Sequence, residues 1–275
     1  MVIGELLRMV CEAIGSSSES AQLDSKVILK SVTGYDDVHL IVNKNQPVAQ
    51  EQIIVALEMG KKRADNMPVA YITGVKEFMS LEFEVNPFVL IPRADTECVV
   101  EHAINLVKSG NVLDIGCGSG AISVSLAKYV PELSVTALDK SHNAVDVALS
   151  NAKRNNVSIT GICADIFDFD TDVKYDLIIS NPPYIASGDI ETLMPDVRNY
   201  EPLSALDGGS DGLMFYRRIV DFALEHLNYE GYLLFEFGWK QHDDVVKIIT
   251  DSGLKFVNTI YDISGIKRGC AAKKI

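Results

Sequence analysis

Residues 111–120 read Asn-Val-Leu-Asp-Ile-Gly-Cys-Gly-Ser-Gly, and this stretch decides the fold. Its first half, Asn111 to Ile115, is a short apolar run that predicts a buried strand. The alternating glycines that follow allow a tight turn and let a ligand approach the backbone closely. A helical pattern with Ile122, Leu126 and Val130 comes next, so the free N–H groups of a helix start lie at the turn. The order strand, glycine turn and helix indicates an α/β fold with a ligand at the turn.

An acidic residue follows this unit at an informative distance. A second apolar strand, Leu133 to Leu138, ends in Asp139, which lies 139 − 116 = 23 residues after Gly116. In nucleotide-binding α/β folds, an acid about 20 residues after the first glycine accepts hydrogen bonds from ribose hydroxyls. The spacing therefore predicts a cofactor that carries a nucleoside.

The same glycines leave a second class of enzyme open. Gly116, Gly118 and Ala121 satisfy the dinucleotide fingerprint, so an NAD-dependent dehydrogenase is the alternative. Asp114 disfavours it, because its charge would face a pyrophosphate, and no Lys, Tyr or His is placed for hydride chemistry. A cofactor that carries an amino acid would instead bring an ammonium group to that carboxylate.

A rigid polar tetrapeptide, Asn181-Pro182-Pro183-Tyr184, follows the apolar run Tyr175 to Ile179, at the end of a predicted buried strand. Consecutive prolines fix two φ angles and remove two N–H donors, so the loop is stiff and rich in acceptors. The Asn181 side-chain oxygen and the Pro182 carbonyl could together hold an NH2 group. A strand-ending turn in which Asn181 bonds its own backbone explains the tetrapeptide equally well.

The rest of the chain predicts three parts. Residues 1–75 repeat apolar side chains at helical spacing and predict a small helical domain. Residues 76–92 alternate with a period of two and predict a β-hairpin linker. In residues 93–275 strands and helices alternate as in a doubly wound sheet, after a first helix that Asp95 or Thr96 can cap.

Composition excludes several classes of protein. The chain of 275 residues has no apolar run of membrane-spanning length and no leader-like start, so we expect a cytoplasmic protein. Its five cysteines have no paired spacing, which disfavours a zinc site or a disulfide framework. The net charge of −13 disfavours direct binding of nucleic acid.

Several motifs together resemble a known family. Residues 113–120 look like the cofactor loop of S-adenosylmethionine-dependent methyltransferases, and residues 181–184 resemble the signature of enzymes that methylate amide or exocyclic amino nitrogens. The more specific stretches are residues 90–97 (LIPRADTE), 201–213 (EPLSALDGGSDGL) and 236–239 (EFGW). With them the chain resembles the peptide-chain release factor glutamine N5-methyltransferases, from about Pro68 to Arg268.

The resemblance implies a Rossmann-like methyltransferase sheet and an enzyme that methylates the N5 amide nitrogen of a glutamine in class I release factors. The implied cofactor is S-adenosylmethionine, with S-adenosylhomocysteine as product and no metal. We also expect a monomer without membrane contact. The first 75 residues would recognise the substrate, with a merely structural appendage as the alternative. A ribosomal-protein glutamine or an adenine amino group is the alternative acceptor. The implied cofactor residues are Gly116, Cys117, Gly118, Ser119 and Gly120 at the methionine part, Asp139 at the ribose, Asp165 and Ile166 near the adenine, and Asn181.

The predicted catalytic residues are Asn181, Pro182 and Tyr184, with Pro183 as a further substrate contact. Two carbonyl oxygens, from the Asn181 side chain and the Pro182 backbone, would accept the amide hydrogens of the glutamine. Tyr184 would stack on the flat amide; an ordinary core aromatic explains it equally well from the sequence. No general base is needed before methyl transfer, so the sequence predicts a rate that is nearly flat between neutral and mildly alkaline pH.

Overall fold

The computed structural model describes residues 1–275. The chain forms two compact units. The first holds Met1–Val75 and Met194–Tyr200, and the second holds Lys76–Leu193 and Glu201–Ile275. No helix is both long enough and apolar enough to cross a bilayer.

The first unit is helical. Its helices are α1 (Ile3–Ile14), α2 (Ala21–Thr33), α3 (Asp37–Val42), α4 (Gln50–Ala64) and α5 (Val69–Thr73), together with α9 (Pro195–Tyr200) from later in the chain. Apolar side chains at helical spacing on α1, α2 and α4 form one core, which includes Leu6, Val10 and Ile28. The sequence did not anticipate that residues 194–200 join this unit, because a six-residue helix carries too little periodicity to be assigned.

A hairpin follows, formed by β1 (Val75–Phe78) and β2 (Leu81–Glu84). Its two turn residues, Met79 and Ser80, have φ of 51° and 57°, as a tight two-residue connection requires. The hairpin is shorter than the predicted 76–92, because residues 85–93 contain no strand. Pro87 and Pro92 lack the N–H donors that strand pairing needs. The alternating apolar residues of this segment are therefore buried without forming a strand.

The second unit is built on a seven-stranded sheet in the order β5-β4-β3-β6-β7-β9-β8. The pairs among β3, β4, β5, β6 and β7 are parallel, and the pairs made by β9 are antiparallel. The strands are β3 (Gly110–Ile115), β4 (Leu133–Asp139), β5 (Thr160–Cys163), β6 (Tyr175–Ser180), β7 (Leu227–Glu236), β8 (Lys255–Tyr261) and β9 (Lys267–Lys273); the helices are α6 (Ala94–Leu106), α7 (Ala121–Tyr129), α8 (His142–Arg154), α10 (Met214–His226) and α11 (His242–Asp251).

The strand order reverses at β3, because the chain places β4 and β5 on one side of it and β6 and β7 on the other. Ligands of such sheets bind outside the carboxyl ends of the strands at this point. Residues 113–120 follow β3 and residues 181–184 follow β6, so both motifs lie at the same edge. Two apolar cores cover the sheet, one on each face. The fold is the predicted Rossmann-like one, with a final strand β9 that the sequence did not predict.

The start of α6 corrects one prediction. Its N-cap residue is Arg93, which has extended backbone (φ −101°, ψ 140°), so the expectation of a cap at Asp95 or Thr96 is wrong. Asp95 and Thr96 consequently lie inside the first helical turn, and their side chains are available for other partners.

Candidate active site

A cavity of about 760 Å³, part of it open to solvent, lies at the carboxyl edge of the sheet in the second unit. Small-molecule sites are typically concave and lined by apolar side chains with a few polar groups. Residues 88–90 and the α10 side chains Phe215 and Ile219 supply apolar walls. Eight residues singled out from the sequence line it: Gly116, Gly118, Asp139, Asp165, Ile166, Asn181, Pro182 and Pro183.

The glycine turn leaves room for a ligand. Gly116 and Gly118 have φ of 75° and 52°, and a Cβ on either would meet no protein atom within 4 Å. Three other residues of the loop do not line the cavity. Cys117 is buried, the Ser119 carbonyl accepts a hydrogen bond from Asn151, and a Cβ on Gly120 would lie 2.8 Å from the Ala148 Cβ. These three shape the turn and pack it against α8.

Asp139 and Asp165 are held by backbone hydrogen bonds. Asp139 Oδ2 accepts from the Gly118 N–H at 3.0 Å and its Oδ1 accepts from the Ser141 N–H at 2.9 Å. Burial raises the pKa of Asp139, and those N–H groups oppose the rise. Asp165 Oδ1 accepts from the Phe167 N–H at 3.0 Å. Both carboxylates are thus oriented at the cavity, where they can also accept from a ligand's hydroxyl or amino groups.

Asp114 is fully buried behind the glycine turn. Its Oδ2 accepts from the backbone N–H and the hydroxyl of Ser123, at 3.1 and 2.5 Å, whereas its Oδ1 has no hydrogen-bond partner. Burial raises the pKa of Asp114 to about 7. A buried carboxylate oxygen without a partner is costly. Asp114 does not line the cavity, but it directly precedes Ile115 and Gly116, which do. Its free acceptor oxygen suits a ligand that brings a cation or N–H groups to the turn, such as an α-ammonium group.

Asn181 is half-buried at the end of β6, and its amide has a defined orientation. Its Nδ2 donates to the Thr96 hydroxyl oxygen on α6 at 3.4 Å, while its Oδ1 receives no hydrogen bond from the protein. The carbonyl oxygen of Pro182 also has no hydrogen bond from the protein. Two acceptors of adjacent residues are therefore available at the cavity, as a clamp for an NH2 group requires.

Tyr184 differs from its expected placement. Its ring is absent from the cavity lining and packs against the core beside α10, near Gly238. Burial raises the pKa of its hydroxyl to about 12. The ring supports the loop from behind, and a stacking contact with a substrate amide remains an untested prediction.

The loop of residues 181–184 is supported by a second motif. A Cβ on Gly208 would lie 2.7 Å from the Pro183 carbonyl oxygen, and one on Gly212 would lie 2.4 Å from the Tyr184 carbonyl oxygen. The Gln241 Nε2 donates to the Tyr184 carbonyl at 2.9 Å. Glycines in the stretch 201–213 are therefore required for close packing, and Gln241 is a support that sequence reasoning missed.

Two further residues that sequence reasoning missed as site residues are Thr96 and Glu236. Glu236 ends β7, the strand next to β6, and its side chain lies beside those of Thr96 and Asn181. Burial raises the pKa of Glu236 to about 7; Asp95 also raises it, whereas hydrogen bonding with Thr96 and Asn181 and the charge of Arg268 lower it. The sequence contained a signal for Glu236, because it is an acidic residue at the end of a predicted strand. The carboxyl ends of parallel strands meet at one edge of the sheet, so Glu236 could have been expected near the end of β6.

Three histidines lie outside the cavity. His142 is exposed on α8, His226 is stacked on Phe222 and bonded to Asp170, and His242 bonds Thr259. None of these histidines lines the cavity. No group of three or more His, Cys, Asp or Glu side chains is arranged to hold a metal ion.

Two family models match parts of the chain. Residues 94–195 match the methyltransferase small domain family, and residues 5–74 match the family described as the PrmC N-terminal domain. A release factor glutamine methyltransferase of Geobacter sulfurreducens is 43% identical over 251 residues, which cover 91% of this chain and 88% of that protein. A protein of the same description from Salmonella typhimurium is 37% identical and covers 91% of each chain.

Solved structures resemble the sheet region. A methyltransferase from Pyrococcus furiosus superposes with a TM-score of 0.54 at 18% identity, over 72% of this chain and 91% of that one. The ribosomal protein L11 methylase from Lactobacillus delbrueckii subsp. bulgaricus gives a TM-score of 0.50 at 20% identity, over 70% of this chain and 84% of that one. At these identities the likeness concerns the fold alone.

Proposed function

The chain belongs to the release factor glutamine methyltransferase family, and from this premise we propose that it methylates the N5 side-chain amide nitrogen of a glutamine in class I peptide-chain release factors. The methyl donor is S-adenosylmethionine, and the product is S-adenosylhomocysteine. The observation that carries the proposal is the Asn181 amide, whose Nδ2 is engaged by Thr96 and whose Oδ1 has no protein partner at the cavity. The NAD-dependent dehydrogenase alternative is set aside, because family membership makes the chain a methyltransferase.

The cavity residues suit the parts of the donor. Gly116 and Gly118 would lie against its methionine part, where Asp114 supplies the carboxylate for the ammonium group. Asp139 would accept from the ribose hydroxyls, and Asp165 and Ile166 would lie at the adenine. When bound, S-adenosylmethionine supplies an electrophilic methyl group on a sulfonium.

The acceptor nitrogen needs positioning more than activation by a base. The lone pair of a carboxamide nitrogen is delocalised into its carbonyl group, so the nitrogen is a weak nucleophile. Asn181 Oδ1 and the Pro182 carbonyl oxygen would each accept one hydrogen of the glutamine NH2 group, which fixes the direction of the nitrogen and draws electron density onto it. Positioning of this kind can supply up to about 7–11 kcal/mol of a barrier. After methyl transfer the nitrogen carries an extra proton, which it loses to water.

The helical unit would bind the protein substrate and take no part in the chemistry. Residues 1–75 would recognise the release factor, and the enzyme would act as a cytoplasmic monomer without direct contact to nucleic acid or membrane. The net charge of −13 supports the exclusion of nucleic acid. Nothing in the site requires a metal ion for the chemistry described.

Labelled donor tests the proposal directly. The purified chain is incubated with labelled S-adenosylmethionine and, in separate samples, a release factor, ribosomal protein and adenine-containing DNA. We expect label on one glutamine of the release factor, identified by mass spectrometry, and none on the other acceptors. Label on ribosomal protein or on DNA alone would replace the proposed acceptor with one of the alternatives.

A further inference from the structure

The Asn181 side chain can present its amide in two ways, because rotation by about 180° at χ2 exchanges the oxygen and the NH2 group at nearly equal volume. Only the orientation with Oδ1 toward the cavity offers an acceptor to a substrate amide. In the opposite orientation two NH2 groups would face each other. The enzyme therefore needs a device that selects one orientation of this amide.

Thr96 and Glu236 are both hydrogen-bond partners of the Asn181 amide, and the Thr96 hydroxyl has a single hydrogen. The hydroxyl oxygen accepts from Asn181 Nδ2 at 3.4 Å, and the hydroxyl lies beside the carboxylate of Glu236. If the hydroxyl gives its hydrogen to Glu236, it can only accept from Asn181. Thr96 is 4% exposed and Glu236 is 4% exposed, so water has little access to replace either partner.

We propose that Glu236 is a positioning residue, whose ionised carboxylate takes the Thr96 hydroxyl hydrogen and thereby makes Thr96 the acceptor that turns Asn181 Oδ1 toward the substrate amide. The inference rests on the proposed function, since it explains how the acceptor clamp is set. Glu236 touches neither reactant in this arrangement. It acts through Thr96 and Asn181.

Protonation of Glu236 reverses the direction of the relay. A neutral carboxyl group can donate to the Thr96 oxygen, and Thr96 can then donate to Asn181 Oδ1, which turns the NH2 group into the cavity. The pKa of Glu236 lies at about 7, so both forms are populated near neutral pH. The Glu236 Oε2 atom has no hydrogen-bond partner. Hydrogen bonding with Thr96 and Asn181 and the charge of Arg268 favour the ionised carboxylate, whereas burial and the charge of Asp95 favour the neutral form.

Other ionisable groups surround Glu236 on several elements. Arg268 on β9 pairs with Asp95 at 2.8 Å and with Asp262 at 2.7 Å, so its positive charge is shared with two carboxylates. The titratable and charged groups that face Glu236 are Asp95 and Cys98 on α6, Tyr184 after β6, Tyr216 on α10, and Arg268 on β9. Burial holds the pKa of Cys98, Tyr184 and Tyr216 well above neutrality, so Glu236 is the group of this cluster expected to titrate between pH 6 and 8.

The test is the pH dependence of methyl transfer to a release factor by the full chain. Saturating S-adenosylmethionine is used throughout, so that ionisation of Asp114 at the donor does not contribute. For the wild type we expect kcat/KM to rise about tenfold from pH 6 to pH 8, as for one group with a pKa near 7. About fivefold of this rise lies below pH 7 and only about twofold above it, so the rate stays nearly flat from neutral to mildly alkaline pH. Glu236→Gln cannot ionise, so its profile is expected to be flat within about twofold at an intermediate rate. Asp176→Asn is the matched control: it makes the same change on β6, where Asp176 accepts from Asn111 and Asn228, and it should keep the wild-type profile.

Thr96 provides a second pair of variants, which remains informative if Glu236→Gln does not fold. Thr96→Val removes the hydroxyl at similar volume, and we expect it to lower kcat/KM about five- to tenfold at pH 8 and to weaken the pH dependence, because Glu236 then keeps only its own hydrogen bond with Asn181. Thr96→Ser keeps the hydroxyl and should restore both. The affinity for S-adenosylmethionine, measured by calorimetry, should stay within about twofold in all variants, because the relay faces the acceptor amide.

Failure of the proposed function and failure of the role assigned to Glu236 give different results. Absence of methyl transfer by the wild type at every pH contradicts the proposed function. A wild type that is active but flat from pH 6 to 8, a Glu236→Gln variant that keeps the pH dependence, or an Asp176→Asn variant that loses it would overturn the inference alone.

Discussion

At the scale of single residues, the site contains polar side chains that the protein satisfies only in part. Asn181 gives its NH2 group to Thr96 and keeps Oδ1 without a protein partner, and Asp114 gives one oxygen to Ser123 and keeps the other. An unsatisfied buried polar atom costs about 1–3 kcal/mol. The Asp114 Oδ1 atom is of this kind, since Asp114 is fully buried, whereas Asn181 is only half-buried and its Oδ1 can accept a hydrogen bond from a ligand at the cavity.

Asn181→Ala tests the acceptor role at this scale. The variant loses the side-chain oxygen of the clamp, so we expect methyl transfer to fall about 100-fold or more, as for loss of one preorganised polar group in other active sites. Binding of S-adenosylmethionine, measured by calorimetry, should be largely unchanged. Turnover near the wild-type rate would contradict the role assigned to Asn181.

Asp114→Asn should make the protein more stable at alkaline pH and weaken its binding of the donor. The folded-state pKa of Asp114 is about 7 and its ordinary value is 3.8, so the native carboxyl binds its proton more tightly than the unfolded one. The stability that this contributes is complete below pH 4 and is lost as pH rises toward 7. The neutral amide avoids this loss, which is at most about 4 kcal/mol for a shift of this size.

We therefore expect Asp114→Asn to raise Tm relative to the wild type at pH 8 and to leave it little changed at pH 4. The donor should bind at least about tenfold more weakly, because the carboxylate that faces its ammonium group has lost its charge. Thermal unfolding at the two pH values and calorimetry measure these effects. Unchanged donor affinity would show that Asp114 serves the fold only.

At the scale of elements, the loop of residues 181–184 is rigid because a neighbouring loop leaves no space around it. Gly208 and Gly212 pack against Pro183 and Tyr184, and Gln241 bonds the Tyr184 carbonyl. The two prolines restrict the backbone of the loop of residues 181–184, and the contacts with Gly208, Gly212 and Gln241 set its position. The resemblance identified residues 201–213 as a motif, and the structure explains why the motif contains glycines.

Gly208→Ala should damage the loop without touching any ligand. Its Cβ would lie 2.7 Å from the Pro183 carbonyl oxygen and 2.8 Å from the Tyr184 Cα, both backbone atoms, so the loop must shift. We expect a loss of about 1–3 kcal/mol in the free energy of unfolding and at least tenfold slower methyl transfer.

Gly188→Ala is the matched control for Gly208→Ala. A Cβ at Gly188 meets nothing within 4 Å, so this variant should change the free energy of unfolding by less than about 0.5 kcal/mol. Denaturant unfolding and steady-state kinetics compare the two variants. Equal effects of both substitutions would refute the packing argument.

At the scale of the whole molecule, the two units have separate cores. The helical unit contains a buried ion pair, in which Arg63 Nε donates to Asp24 Oδ2 at 2.7 Å with side chains 9% and 8% exposed. Removing one partner of a buried pair leaves the other charge uncompensated, at a cost of about 3–5 kcal/mol. This pair therefore offers a way to disturb the helical unit while the cavity residues are left unchanged.

Arg63→Ala should reduce methylation of the release factor, because the helical unit is proposed to recognise it, whereas calorimetry should find donor binding in the second unit retained. Arg8→Ala is the control, since Arg8 and Glu12 form an exposed pair at 3.9 Å that contributes at most a few tenths of a kcal/mol. An Arg63→Ala sample with a disordered helical unit and an unchanged KM for release factor would argue against the recognition role.

The sequence by itself determined the class of fold, the glycine turn, the acid that follows it and the acceptor loop after β6, because these depend on local periodicity and on backbone restrictions of glycine and proline. Only the tertiary structure decided that Thr96 and Glu236 meet Asn181, that β9 lies between β7 and β8, and that residues 194–200 belong to the helical unit. The bond from Asn181 to Thr96 joins residues 85 positions apart, and Glu236 lies 236 − 181 = 55 positions after Asn181, so no local pattern encodes either pairing. The direction in which an amide points depends on which hydrogen-bond partners surround it, and those partners are brought together only by packing of the sheet and its helices.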